Sequence, residues 1–189
     1  MKSLCVYCGS SPGDDPQYTQ AAEETGKALA EQGIRMIYGG GNVGLMGSVA
    51  DACIEAGGEV VGVIPEKLLD LELGHHGVTE LLVVEDMHAR KAKMAELADA
   101  FVALPGAIGT LEEIFEVMVW TQLGYHSKPC GLLNVGGYYD HLVAFLRNVV
   151  DRRFLLESHL DMLLVETEIR PLIGQLANSR PEFTKKWID

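Results

Sequence analysis

Short apolar runs rich in β-branched residues alternate with longer stretches of helical periodicity along the whole chain. Residues 4–7, 35–38, 60–64, 81–84, 101–104, 131–134 and 163–165 read as strands. Between them, residues 16–31, 45–56, 87–98, 114–123, 138–151 and 168–177 read as helices. Pro16 near the start of the first helix and Gly33 just past its end are terminal signals, and Asp86 is placed to cap the third. Strict β-α-β alternation predicts a mostly parallel sheet with helices on both faces: a doubly wound, Rossmann-like α/β fold. No repeat, linker or shift of composition divides residues 1–189, so one domain is expected, with a peripheral tail from about Ser179. Residues 66–80 are the least regular and are positioned to cover a site.

Ligands of such folds bind at the carboxyl ends of the strands. Three glycine-rich segments fall there: residues 8–13, 39–47 and 105–109. The last belongs to the run LPGAIGTLEE, residues 104–113, in which a strand, a small-residue loop and the start of a helix make an anion cradle. A phosphate would sit on residues 106–110, next to a carboxylate. The same residues also fit a capping box, with Thr110 as N-cap and Glu113 reaching back to it. Gly39, Gly41 and Gly44 match the dinucleotide pattern G-x-G-x-x-G, with Glu66 as the acid of the next strand. That pattern follows the second strand and not the first. A tight turn or a close backbone approach to another ligand accounts for it as well.

Charge narrows the field. A net charge of −12 leaves no basic surplus for nucleic acid, though a small anion needs only a few local cations. Hydrophobic residues at 48% and charged residues at 22% are ordinary for a globular chain. The N-terminus shows no secretory leader and no apolar run reaches membrane length, so a cytoplasmic location is expected. Cys5, Cys8, Cys53 and Cys130 lie in apolar segments and read as reduced, buried thiols. Cys5 and Cys8, three apart on a strand, face opposite sides and are badly placed to share a metal. The six histidines have no ligand spacing, so no metal is expected. An NTPase P-loop and a G-x-S-x-G elbow are both absent.

Two helices carry further signals. In MHARKAKM, residues 87–94, Arg90 and Lys91 sit in the first turns, where cations oppose the helix dipole. An anionic partner, or pairing with Glu85 or Asp86, would explain them. Residues 114–123 have almost no polar face, which suits a buried core helix or, in a chain this small, a homodimer interface.

Taken together, LPGAIGTLEE, MHARKAKM, YGGGNVGLMG and CVYCGSSPG resemble the signature segments of the Lonely Guy family of cytokinin-activating phosphoribohydrolases, whose members are often labelled lysine decarboxylases. The resemblance extends to about residue 165. It implies a Rossmann-like homodimer, with its active site near the dimer interface, that hydrolyses the N-glycosidic bond of AMP or N6-substituted AMP to a free base and ribose 5-phosphate, with no cofactor. By motif position it implies Arg90 and Glu113 as the catalytic pair, and Lys91, Gly109, Thr110 and Glu72 as ligand contacts. Ser10, Gly40, Gly41, Met87, Gly106, Ala107, Ile108 and Glu112 complete the expected substrate-binding set.

The chemistry is consistent with that reaction. Cleaving a ribosyl C–N bond builds positive charge at C1′ and the ring oxygen, which a carboxylate stabilises. Glu112 lies about 100° round the helix from Glu113, so the two cannot face one point, whereas Glu116 can share the face of Glu113. No lysine is marked out for a pyridoxal phosphate Schiff base. One departure stands out: Ala107 replaces the second glycine of the family's P-G-G. If that position needs positive φ or close phosphate approach, alanine lowers activity and favours the second reading, a nucleotide-binding module with little turnover; if its φ is negative, the methyl is tolerated. A nicotinamide-dependent oxidoreductase is the third reading, resting on residues 39–44 alone.

Overall fold

The computed structural model describes residues 1–69 and 74–182. Seven strands form one sheet in the order β4-β3-β2-β1-β5-β6-β7, every neighbouring pair parallel. They are β1 (Ser3–Tyr7), β2 (Arg35–Tyr38), β3 (Val60–Pro65), β4 (Glu80–Val84), β5 (Ala100–Ala103), β6 (Cys130–Leu133) and β7 (Leu163–Glu166). The helices are α1 (Pro16–Glu31), α2 (Gly44–Glu55), α3 (Glu66–Leu69), α4 (Met87–Leu97), α5 (Ile108–Gln122), α6 (Asp140–Asp151), α7 (Glu157–Leu160) and α8 (Ile169–Asn178). The doubly wound α/β architecture is the one the alternating pattern predicts. None of the described helices is long and apolar enough to cross a membrane.

The period-2 geometry of a strand sorts side chains into two cores. Leu4, Val6 and Cys8 point to one face, where Ala28 and Leu29 of α1, Val49 and Cys53 of α2, and Leu172 and Ile173 of α8 cover them. Cys5 and Tyr7 point to the other, beneath Met94 of α4, Ile114, Val117 and Met118 of α5, and Leu146 of α6. Cys5 and Cys8 thus face opposite sides of the sheet. Each fully buried large aliphatic side chain in these layers contributes about 1.5–3 kcal/mol through the water it excludes.

Local signals set the starts of α1 and α4. Pro16 opens α1 behind Asp15, whose carboxylate accepts the Gln17 N–H at 2.9 Å. Asp86 caps α4 by accepting the Ala89 N–H at 2.8 Å. Helix α5 departs from expectation. It begins six residues before the predicted 114, with Ala107 as N-cap and Ile108 as its first residue. Thr110 therefore lies inside the first turn, 4% exposed, and is not an N-cap, so the capping-box reading fails. At the sixth crossover a 3-10 turn (Val135–Gly137) precedes α6, which delays that helix from 138 to 140. The short helices α3 and α7 carry too few residues for a periodic signal.

His126, after α5, gives the fold a pH dependence. Its Nδ1 accepts the Lys128 N–H at 3.2 Å and its ring lies 5.6 Å from that of Phe101. Burial, helped by the Lys128 charge, pushes its pKa down to about 4. The unfolded chain takes up this proton near pH 6.5 and the folded one only near 4, so stability is intact above 6.5 and falls as pH drops through that window. Chemical denaturation between pH 7 and 4 should show His126→Asn, which keeps an acceptor for Lys128, losing less stability than wild type. The expected difference is on the order of 1–2 kcal/mol, allowing for solvent screening.

Candidate active site

Strands β1 to β4 add toward one edge of the sheet and β5 to β7 toward the other, so the chain reverses direction between β1 and β5. A crevice opens at the carboxyl ends of that pair, the usual ligand position in such sheets. All three glycine-rich segments meet there. The Leu104 N–H donates to the Tyr7 carbonyl at 2.9 Å, the Gly9 N–H to Pro105 at 3.1 Å, and the Leu45 N–H to Gly9 at 3.1 Å. The contacts are too close for side chains. A Cβ on Gly44 would lie 2.3 Å from the Ser10 backbone, and one on Gly106 would lie 2.2 Å from Thr110 Oγ1 and 2.9 Å from the Gly9 nitrogen.

The loop over residues 105–107 delivers the chain into α5 with no side-chain cap. The first intrahelical bond at this end runs from the Leu111 N–H to the Ala107 carbonyl at 3.2 Å. The N–H groups of Ile108, Gly109 and Thr110 precede it and have no acceptor within the helix. With the positive end of the helix dipole they are suited to an anion, at the residues 106–110 singled out from the sequence. Ala107 has φ −92, an ordinary extended conformation, and its side chain is exposed. The methyl group therefore carries no backbone strain, and the positive-φ ground for doubting turnover falls away. Beside the cradle lies a cavity of about 240 Å³ lined by residues 9–14, Tyr18, Leu45, residues 105–107 and Tyr138. It includes Ser10 among the expected contacts.

Arg90 and Glu113 arrive from α4 and α5, on the same face of the sheet. Arg90 is 5% exposed; its Nη2 donates to the Gly39 carbonyl at 2.7 Å, and its Nη1 lies 3.7 Å from the sulfur of Met87. A Cβ on Gly39 would lie 2.1 Å from Nη2, so this glycine is needed by the guanidinium. Glu113 is half-buried, and its charge acts on Cys5, Tyr7 and Cys8 at the end of β1. Arg90 acts on Cys5 as well, so both charges bear on β1. Burial, with Glu113 adding to it, drives both thiols well above their ordinary range, which leaves them protonated and inert.

The expected contacts divide. Gly106 to Thr110 form the cradle, and Met87 lies against Arg90. Gly40 and Gly41 are buried beneath the crevice, with Gly40 at φ +78 and Gly41 bridged to Gly74. Glu72 lies outside the described residues. Lys91 binds within the protein: its Nζ donates to Glu112 at 2.5 Å and to Glu116 at 3.1 Å. Neither Glu85 nor Asp86 is its partner, and Glu116 shares the Glu112 side of α5, one turn on, while Glu113 turns to the strand ends. Hydrogen bonding to Glu112 raises the Lys91 pKa. Sequence reasoning overlooked Tyr138, whose hydroxyl donates to the Gly106 carbonyl at 2.7 Å and whose ring meets Tyr18 edge-on at 5.6 Å. Its position after β6 at the same sheet end, behind Gly136 and Gly137, was the available signal.

A glycine-laced crevice at the reversal of a parallel sheet, with an uncapped helix start, a buried arginine and a glutamate, defines a phosphate-handling Rossmann-like protein. The chain belongs to the cytokinin riboside 5′-monophosphate phosphoribohydrolases, the Lonely Guy family. It is 47% identical over 183 residues to such a protein of Arabidopsis thaliana, covering 97% of this chain and 84% of the relative. To one of Rhodococcoides fascians it is 48% identical over 176 residues, covering 93% and 89%. The family model described as possible lysine decarboxylase matches residues 46–176. Among solved structures, the molybdenum cofactor carrier protein of Chlamydomonas reinhardtii superposes with a TM-score of 0.72 at 20% identity, over 94% of this chain and 98% of that one, a likeness of fold.

The loop geometry separates two neighbouring substitutions. Ala107→Gly should leave kcat/KM within about twofold, because φ is already unstrained and glycine is an acceptable N-cap. Gly106→Ala should lower stability by about 1–3 kcal/mol through the clash with Thr110 and Gly9, and reduce turnover with it. Thermal denaturation and initial rates on the two variants check both.

Proposed function

We propose that this chain hydrolyses the N-glycosidic bond of N6-substituted adenosine 5′-monophosphates, releasing the free base and ribose 5-phosphate. The observation that carries the reading is that buried Arg90 and half-buried Glu113 come from two helices joined through Lys91 on one face of the sheet, beside the uncapped N-terminus of α5. The relatives' activity is the one this geometry suits. The 5′-phosphate lies on the N–H groups of residues 108–110, and its binding energy holds the ribosyl bond against the two charges. Lys91 is already committed to two carboxylates, so phosphate binding rests on the helix start and not on this lysine.

As the C1′–N9 bond lengthens, positive charge develops on C1′ and the ring oxygen, and Glu113 stabilises it. The oxygen of one water bonds to C1′; Glu113 orients it and receives its proton, which ends on the departing base. Arg90, fixed by Gly39, supplies the fixed positive charge for the anionic substrate. A decarboxylase reading fits the residues less well. A Schiff-base lysine must shed its proton readily, whereas Glu112 and Glu116 hold the one on Lys91 more tightly. The net charge of −12 favours a small substrate over nucleic acid, and the buried, free Cys5, Cys8, Cys53 and Cys130 suit the reducing cytoplasm.

Base release from AMP and from N6-isopentenyl-AMP, resolved by chromatography, tests the reaction. Wild type should release base, while Glu113→Gln and Arg90→Ala, shown to be folded, should lose it by at least about a hundredfold. Binding of either nucleotide without any base release by wild type would overturn the hydrolase.

The same reading includes a homodimer. Val119 of α5 and Leu123, its C-cap four residues on, are 42% and 44% exposed, and Tyr125 beyond them is 77% exposed. An apolar strip of this kind on an acidic protein suits a second copy of the same chain. Val119→Glu combined with Leu123→Lys should shift the species seen by light scattering from dimer to monomer, with helix content unchanged. A wild-type monomer would remove the dimer.

A further inference from the structure

The hydrolytic scheme leaves two buried histidines unused, and one of them, His75, is tied to the glycine loop. His75 is 6% exposed, whereas His76 beside it is exposed. Its ring is held at both nitrogens. Nδ1 accepts the Gly77 N–H at 3.1 Å, which places the ring proton on Nε2, and Nε2 meets Asp51 Oδ1 of α2 at 2.9 Å. The tautomer is therefore set by the backbone, and the imidazole donates to a carboxylate.

The backbone of His75 is tied to the glycine loop. Its N–H donates to the Gly40 carbonyl at 2.9 Å, and the neighbouring Gly74 bridges Gly41. Three consecutive glycines are the least restrained backbone a chain can have, and Gly40 sits at φ +78. No side chain of their own can fix the plane of these peptides, so the fixing must come from outside. The Gly39 carbonyl, one peptide away from the His75 contact, is the acceptor for Arg90 Nη2 at 2.7 Å. A continuous path thus runs from Asp51 through the His75 ring and backbone to Gly40, Gly39 and the guanidinium.

We propose that His75, clamped by Asp51, is a positioning residue for hydrolysis: it fixes the glycine loop whose Gly39 carbonyl aims Arg90 into the site. The inference rests on the reading of Arg90 as catalytic. It assigns the pair no contact with substrate. Its effect is transmitted through hydrogen bonds to a residue whose misplacement by about 1 Å is enough to lower turnover up to a hundredfold.

The test is a cycle on base release from N6-isopentenyl-AMP, with Tm recorded for every variant. In the wild-type background His75→Ala should lower kcat/KM roughly ten- to a hundredfold, and His75→Gln, which keeps a donor for Asp51, should recover part of the loss. His76→Ala should change nothing. In an Arg90→Lys background, His75→Ala should lower kcat/KM by less than about threefold, because the group it positions has already been changed. Equal fold losses in both backgrounds would show a general structural role and overturn the proposal, as would a folded His75→Ala enzyme with wild-type turnover. If His75→Ala does not fold, Asp51→Asn replaces it in both backgrounds under the same criteria. Failure of the underlying reading has its own signature: Arg90→Lys and Arg90→Ala would each retain wild-type activity, whatever the His75 variants do.

Discussion

The structure depends on the close approach of three loops at one end of a parallel sheet. Gly44 lies against Ser10, Gly106 against Gly9 and Thr110, and Gly39 against the Arg90 guanidinium, each within a distance that no Cβ tolerates. These contacts make the ends of β1, β2 and β5 a single floor. From it α5 starts at Ile108 and not later, and under it the guanidinium gains a buried position with a backbone carbonyl to hold it. Buried arginines are tolerated only when their donors are used. Here the loop packing supplies an acceptor, which ties the fold and the chemistry to the same glycines.

Electrostatics at the site are local and opposed to the field of the whole molecule. A net charge of −12 does not draw in a nucleotide, and at physiological ionic strength charges beyond about 8 Å are largely screened. The sign inside the crevice is set by the α5 N-terminus and Arg90. Lys91, the other cation of the MHARKAKM segment, is shared between Glu112 and Glu116 and serves to join α4 to α5. Of two adjacent basic residues, one faces the strand ends and the other fastens the helices that carry Arg90 and Glu113. The 100° step between successive helical residues produces this division, as it does for Glu112 and Glu113.

Much of this was legible in the chain because the local signals agreed with the tertiary outcome. Helix α1 follows its prediction at both ends, where Pro16 and Gly33 each act locally and agree with the packing; the Asp15 cap adds to the same start. The strands follow theirs to within about a residue, because both faces of a central parallel strand are buried and the apolar run is continuous. The start of α5 was misread for the opposite reason. Ile-Gly-Thr at 108–110 has the local character of a loop, and Thr110 three residues before Glu113 imitates a capping box; packing of Thr110 against Gly106 overrides both. The side of α5 taken by Glu116 could not be read from spacing, since positions 112 and 113 are both within one turn of it and only the position of Lys91 decides. His75 carried no sequence signal: its partner Asp51 is 24 residues away on another element, and only the fold brings them together.

The cap pattern shows where stability was left open to ligand. Helices α1 and α4 begin with aspartates whose carboxylates accept an N–H of the first turn. Helix α5 begins with Ala107, among the poorest N-caps, a difference of about 1 kcal/mol against a serine or aspartate. A capping side chain at 107 would occupy the donors of the first turn and carry a competing oxygen into the cradle. Without one, those donors have no acceptor within the helix, which suits the anion-binding role proposed for them. Alanine at this position is therefore compatible with function for the reason that makes it a weak cap: an unstrained φ keeps the loop in place, and the methyl group makes no hydrogen bond of its own.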